Sequence, residues 1–172
     1  MKKKLYSFSD ILEKVTLWVI IAILLVMIVI AWAHVFSRYF FNHALSWSEE
    51  VLRFMLVWFA LLSASIIFKR KAHIGIVIFV QKLSEEMQKK VEELIYFLFL
   101  FCCIITTYQG FDLAIRVGGQ LSPATRISMT IPYLSIPISF LLMAIYDFIH
   151  IIQRYDTDFV EKDMFEDEYA EN

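Results

Sequence analysis

The sequence predicts an all-α membrane protein with four transmembrane helices plus amphipathic surface helices. Composition is the first reason: of 172 residues, 59% are hydrophobic and 16% aromatic, with a mean hydropathy of +0.63. A soluble domain of this size is markedly less apolar. Run length is the second: four apolar stretches, at about 15–36, 51–68, 94–115 and 127–149, are each long enough to cross a bilayer. The first, Val15 to Phe36, reaches ~33 Å at ~1.5 Å per residue, against a hydrocarbon core of ~30 Å. It is too long for the apolar part of a cleavable signal peptide, and no small-residue cleavage site follows it. The intervals leave no room for a soluble domain. Residues 1–155 therefore read as one membrane domain, followed by an acidic tail at 156–172.

Positive charge sets the expected orientation. Lys2, Lys3, Lys4, Lys14, Lys69, Arg70, Lys71, Lys82, Lys89, Lys90, Arg154 and Lys162 fall on one side. Arg38, Arg53, Arg116 and Arg126 fall on the other. Twelve against four places both termini and the long middle loop in the cytoplasm. The 38–50 and 116–126 connections then face outward, which in a Gram-negative inner membrane means the periplasm.

Taken in order, residues 5–14 read either as an amphipathic surface helix or as an extension of the first span. Ser7 and Asp10 have the spacing of a capping box, and the lysines before them suit anionic lipid. Trp18 and Trp32 mark the two ends of span one as an aromatic belt does. His34, in its outer third, has the position of a histidine bonded to a neighbouring helix.

Span two opens with Ser46-Trp47-Ser48-Glu49, the pattern of a helix cap with a reciprocal carboxylate. Charges at membrane depth are costly, so Arg38, Glu49, Glu50 and Arg53 are expected to form an ion-pair network at the outer edge. Arg53 lies four residues after Glu49 and three after Glu50, within helical pairing reach. Ala60 and Ala64 make a small-residue pair suited to close helix contact in lipid. Lys69, Arg70 and Lys71 stop the span and, with Trp18, Trp32 and Trp47, anchor the chain at the membrane surfaces.

Residues 76–83 are apolar but too short to span, and are expected to lie on the inner surface. Ser84-Glu85-Glu86 starts a long third helix. Near its outer end Asp112 and Arg116 are spaced to pair, and Gly118-Gly119 closes it. In the fourth span Pro132 and Pro137 each remove a backbone donor and bend the helix. Ser135 and Ser139 form a second small-residue pair.

Net charge is −2, with no basic excess to bind nucleic acid. Cys102 and Cys103 are adjacent and point to different helix faces, so they read as packing residues and not as a disulfide framework. There is no phosphate loop, metal-ligand spacing, or nucleophile with a base; neither an enzyme nor a cofactor is expected. A stand-alone exporter needs a carboxylate near mid-bilayer, and the centres of the spans have none. A haem carrier needs histidines facing each other at haem depth; His34, His43, His73 and His150 do not match well. A scaffold or docking subunit fits best, with the haem-carrying or stand-alone four-helix protein as the alternative.

One set of motifs sharpens this. Arg38-Tyr39-Phe40-Phe41-Asn42, Leu45-Ser46-Trp47-Ser48-Glu49-Glu50, Arg53, Val57-Trp58, Arg70 and His73-Ile74 run in order. Ser122-Pro123-Ala124 and Ile131-Pro132-Tyr133-Leu134-Ser135-Ile136-Pro137 follow. Together they resemble the small integral membrane subunit (DctQ/SiaQ type) of TRAP, or tripartite ATP-independent periplasmic, transporters, over residues 36–146. Thr125-Arg126-Ile127-Ser128 departs from the family, standing where a Leu-Gly-Ile-Pro-like turn is common. The resemblance implies a non-catalytic scaffold that associates with a large elevator-type membrane subunit. That subunit takes up, with sodium, an organic acid of four-carbon dicarboxylate or sialic acid type, delivered by a periplasmic binding protein. On this resemblance Trp58, Ala60 and Ala64 are expected to pack on the large subunit, with membrane lipids covering the rest. The connections holding Asn42, His43, Gln120 and Ser122 are expected to face the binding protein.

Overall fold

The computed structural model describes residues 2–41, 45–70 and 85–154. Helix α1 covers Lys2–Phe40, α2 Ser46–Lys69 and α3 Glu85–Arg116, which ends in a 3-10 turn at Val117–Gly119. A short α4, Thr130–Tyr133, leads into α5, Ser135–Arg154. Four stretches are long and apolar enough to cross a membrane, Ser7–Phe40, Ser46–Lys69, Glu93–Gly119 and Thr130–Ile152. The all-α, four-span class is the one the sequence predicts. The expected surface segment at 76–83 and the acidic tail lie outside the described residues.

Residues 2–40 contain neither Gly nor Pro, and α1 runs through them unbroken. Residues 5–14 are therefore an extension of the first span. At 39 residues α1 is about 58 Å long, nearly twice the depth of a hydrocarbon core. The part before Val15 projects beyond the apolar run. Ser7 and Asp10 lie inside the helix, so they do not form the expected capping box.

The start of α2 also differs from expectation. Ser46 is its first helical residue, and the cap is the extended Leu45, which makes no side-chain cap bond. Ser48 turns back instead, its hydroxyl donating to the Leu45 carbonyl at 2.7 Å. Glu49 stays exposed. The Leu45 carbonyl also accepts the Ser48 N–H at 3.1 Å, so both donors of Ser48 close this first turn through its own backbone and side chain.

The fourth span is helical from Thr130, three residues later than its apolar run begins, because Ile127 and Ser128 are held in the preceding turn. The helix is interrupted at Leu134. Pro137 falls in the first turn of α5, where a missing N–H is tolerated. The Ser135 hydroxyl donates to the Pro132 carbonyl at 2.6 Å across the break.

Helix α5 is the centre of the bundle. It packs most extensively on α3, then on α2, and α2 carries α1. Inside a bilayer there is no water to exclude between helices, so close packing must hold them. One cluster joins Ile20 of α1 to Leu62 and Ile66 of α2, with Trp58 and Leu142 against it. A second joins Cys103 of α3 to Met143 and Ala144 of α5, with Ala64, Phe99, Leu100 and Phe140 around it. Phe68 and Phe99 stack at 4.3 Å between ring centroids, tying α2 to α3. Gly110 of α3 lies against the Pro137 ring, where a Cβ on Gly110 would stand 3.0 Å from Pro137 Cδ. Of the two cysteines, Cys103 is buried and Cys102 exposed.

Candidate functional site

The polar groups gather at the two ends of the bundle. One, here the turn end, carries the α1–α2 and α3–α4 connections. The other, the clasp end, brings the projecting start of α1 to the last residues of α2 and α5.

At the turn end the expected network of Arg38, Glu49, Glu50 and Arg53 divides. Glu50 reaches the α3–α4 connection, 75 residues away, and accepts from the Thr125 N–H at 2.8 Å, the Thr125 hydroxyl at 2.9 Å and the Ala124 N–H at 3.2 Å. Glu49 is beside His34, 3.8 Å from Nε2, while His34 Nδ1 shares a 2.6 Å hydrogen bond with the Ser48 hydroxyl. Arg38 and Arg53 are exposed and make no ion pair among the described residues. Asp112 and Arg116 do pair, at 2.7 Å.

Glu50 thus braces a cross-linked turn. Ser122, 2% exposed, bonds Thr125 through its hydroxyl at 2.6 Å, and that hydroxyl also accepts from the Ile127 N–H at 3.2 Å. The Ser128 and Thr130 hydroxyls donate to the Gly118 and Ala114 carbonyls, groups that a helix end leaves without partners. Arg126 has φ 55°, the left-handed region that favours glycine. Of the loop residues singled out in the sequence, Gln120 is exposed and Ser122 is an internal brace. Asn42 and His43 lie outside the described residues.

Glu50→Ala is expected to speed tryptic cleavage at the exposed Arg126, since two backbone N–H groups then lose their acceptor. Glu50→Gln, which keeps an acceptor oxygen, should fall between the two. Equal cleavage rates for all three proteins would remove Glu50 from the role of brace.

At the clasp end Lys69, only 14% exposed, donates to Glu13 at 2.7 Å, Asp10 at 2.9 Å and the Ser9 carbonyl at 3.1 Å. Arg70 binds the other Glu13 oxygen at 2.8 and 3.0 Å. From α5, His150 Nε2 bonds the Lys69 carbonyl at 2.9 Å, and the Tyr146 ring lies 5.7 Å from the ammonium. Lys69 and Arg70, expected only as surface anchors, therefore bind α1 to α2. Lys71 lies outside the described residues. His34 and His150 are at opposite ends of the bundle, each bonded within the chain.

The remaining candidates sort by face. Trp58 is used internally, its indole N–H donating to the Ile131 carbonyl at 3.1 Å. Ala64 packs inside the second cluster, whereas Ala60 lies on an open face of α2 with Leu56, Val57 and Ile67. On α1, Trp18, Leu25, Val29, Trp32, Phe36 and Phe40 are all exposed, Trp18 at 72%. Their spacing puts them on one stripe facing away from α2. Phe36 and Phe40 stack at 5.2 Å. Trp47 is exposed as well.

Residues 26–157 match the family described as tripartite ATP-independent periplasmic transporters, DctQ component. Two Haemophilus influenzae proteins, each named as a TRAP transporter small permease protein, are similar. One is 30% identical over 128 residues, 74% of this chain and 78% of its own. The other is 28% identical over 99 residues, 58% of this chain and 62% of its own. The isethionate TRAP transporter permease protein DctMQ of Oleidesulfovibrio alaskensis is 31% identical over 102 residues, 58% of this chain and 16% of its own. The chain thus spans less than two thirds of the length of two of these three relatives.

Proposed function

As this chain belongs to the DctQ component family of the tripartite ATP-independent periplasmic transporters, a transporter subunit and not an enzyme, we propose that it is the scaffold of a larger permease. It associates with the large membrane subunit, which moves the substrate. The observation that carries this reading is the Oleidesulfovibrio alaskensis relative, where a segment like this chain makes up 16% of a single permease protein named DctMQ. A chain of this kind fused to a longer permease has its partner beside it by construction. We assign the contact with that partner to the faces this chain leaves open.

Two faces suit such a contact, the aromatic stripe of α1 and the open side of α2 around Ala60. A small residue there lets a partner helix approach closely, which is the basis of association in lipid. Lipid covers what the partner does not. The excess of Lys and Arg on one side supports an inner-membrane orientation with both termini in the cytoplasm. The turn end then meets the periplasm, where the braced connection with exposed Gln120 and Arg126 serves to dock the substrate-binding protein. The cargo we assign is an organic acid of four-carbon dicarboxylate or sialic acid type, taken up with sodium.

Co-expression with the large subunit tests this. The tagged wild-type chain should retain that subunit through purification, and Ala60→Leu should lower the amount retained several-fold. Full retention by the variant would move the contact to another face. No retention by wild type would end the scaffold reading.

A further inference from the structure

Asp147 is the one acidic side chain among the described residues that is fully buried. It lies on α5, at 0% exposure, and neither of its carboxyl oxygens has a hydrogen-bond partner among the described residues. Its surroundings come from the helices packed on α5. On α3, Cys103 is within electrostatic reach and is itself fully buried. One turn back on α5 are Met143 and Ala144, which share an apolar cluster with Cys103, Phe99 and Leu100 of α3 and Ala64 of α2.

Among the described residues no cation bonds it. Of the basic groups on α2, Lys69 is held by Ser9, Asp10 and Glu13, and Arg70 by Glu13. On α1, Glu13 is occupied by those two cations. On α5 itself, His150 bonds the Lys69 carbonyl, and the Tyr146 hydroxyl is buried.

An ionised carboxylate only accepts hydrogen bonds, and here it would have neither a donor nor water. Burying such a charge unpaired is strongly unfavourable. The neutral acid is a donor, and a helix offers it the carbonyl four residues back. Thr16 and Thr107 use that bond in this protein, donating to the Leu12 and Cys103 carbonyls at 2.8 and 2.7 Å. We infer that Asp147 is a proton-binding site, filled while α5 is packed on α3 and emptied only as that contact loosens. Binding and packing are then linked. The packed state holds one more proton than a loosened state in which the carboxyl meets water, so raising the pH favours loosening.

Infrared spectra of the full-length chain in lipid nanodiscs at neutral pH should show a protonated carboxyl C=O band that is lost in Asp147→Asn. Asn is neutral and nearly isosteric, so the variant should fold. The thermal midpoint of the wild type should fall as pH rises from about 5 through neutral, with a smaller fall in the variant. Carrying Cys103→Ser in both proteins removes the titration of that neighbouring thiol from the comparison. A wild-type spectrum without the band, a band that persists in the variant, or identical pH dependence in both proteins would each overturn the assignment.

Discussion

Gly110→Leu is expected to abolish the folded bundle, with Gly110→Ala only mildly harmful. Gly110 of α3 meets Pro137 of α5, and an added Cβ would lie 3.0, 3.1 and 3.3 Å from three carbons of the proline ring. The ring cannot swing aside, because Pro137 is fully buried in the first turn of α5. For alanine two effects oppose each other. Removing a helix-interior glycine gains roughly 1 kcal/mol in helix propensity, and overpacking costs about 1–3 kcal/mol. The net loss should therefore be small. Leucine gains no more propensity and adds three carbons with no room to enter, so the helices must separate. In lipid that separation removes the packing that holds α3 in the bundle. Detergent-solubilised yield and thermal midpoint by fluorescence size exclusion would measure this. Pro137→Ala combined with Gly110→Ala should recover part of the loss. A leucine variant as stable as wild type would show that α3 and α5 do not depend on this contact.

The membrane explains why the spans could be read from composition alone. Backbone groups in lipid must be satisfied within a helix, so a long uncharged run leaves little choice of structure. The Asp112–Arg116 pair was legible for a similar reason, since a four-residue spacing fixes the contact before any tertiary fold exists. Residues whose partners lie far along the chain were not legible. Local spacing offers Glu50 to Arg53, yet it serves a turn 75 residues away. Glu13 and Lys69 are 56 residues apart, and no local pattern links them. Ala60 and Ala64 differ by only about 40° around the helix, and the rotation of α2 against α5 decides which of them is open. Asp147 sits near the end of the 127–149 stretch read as the fourth span, and no local spacing marks it as buried. Its burial depends on how far α2 and α3 extend beside it, which hydropathy does not record.

Glu13→Ala is expected to release the projecting start of α1. The first turn of that helix carries three lysines and no acid, an unfavourable arrangement at the positive end of a helix dipole. An isolated helical extension of this length is marginal on its own. The clasp offsets both penalties. Glu13 and Lys69 are 18% and 14% exposed, so their pair is largely shielded from water and differs from an exposed surface ion pair. Removing one partner of a buried pair costs roughly 3–5 kcal/mol, but Lys69 keeps Asp10 and the Ser9 carbonyl, which argues for about 2 kcal/mol. That corresponds to on the order of 30-fold faster amide exchange across residues 7–14 if the segment opens locally. Asp10→Asn and Arg70→Ala should have smaller effects, because those side chains are 67% and 60% exposed and exposed pairs contribute little. An equal effect from all three substitutions would mean that net charge, and not the buried contact, holds the segment. Unchanged exchange in Glu13→Ala would mean that the clasp holds nothing.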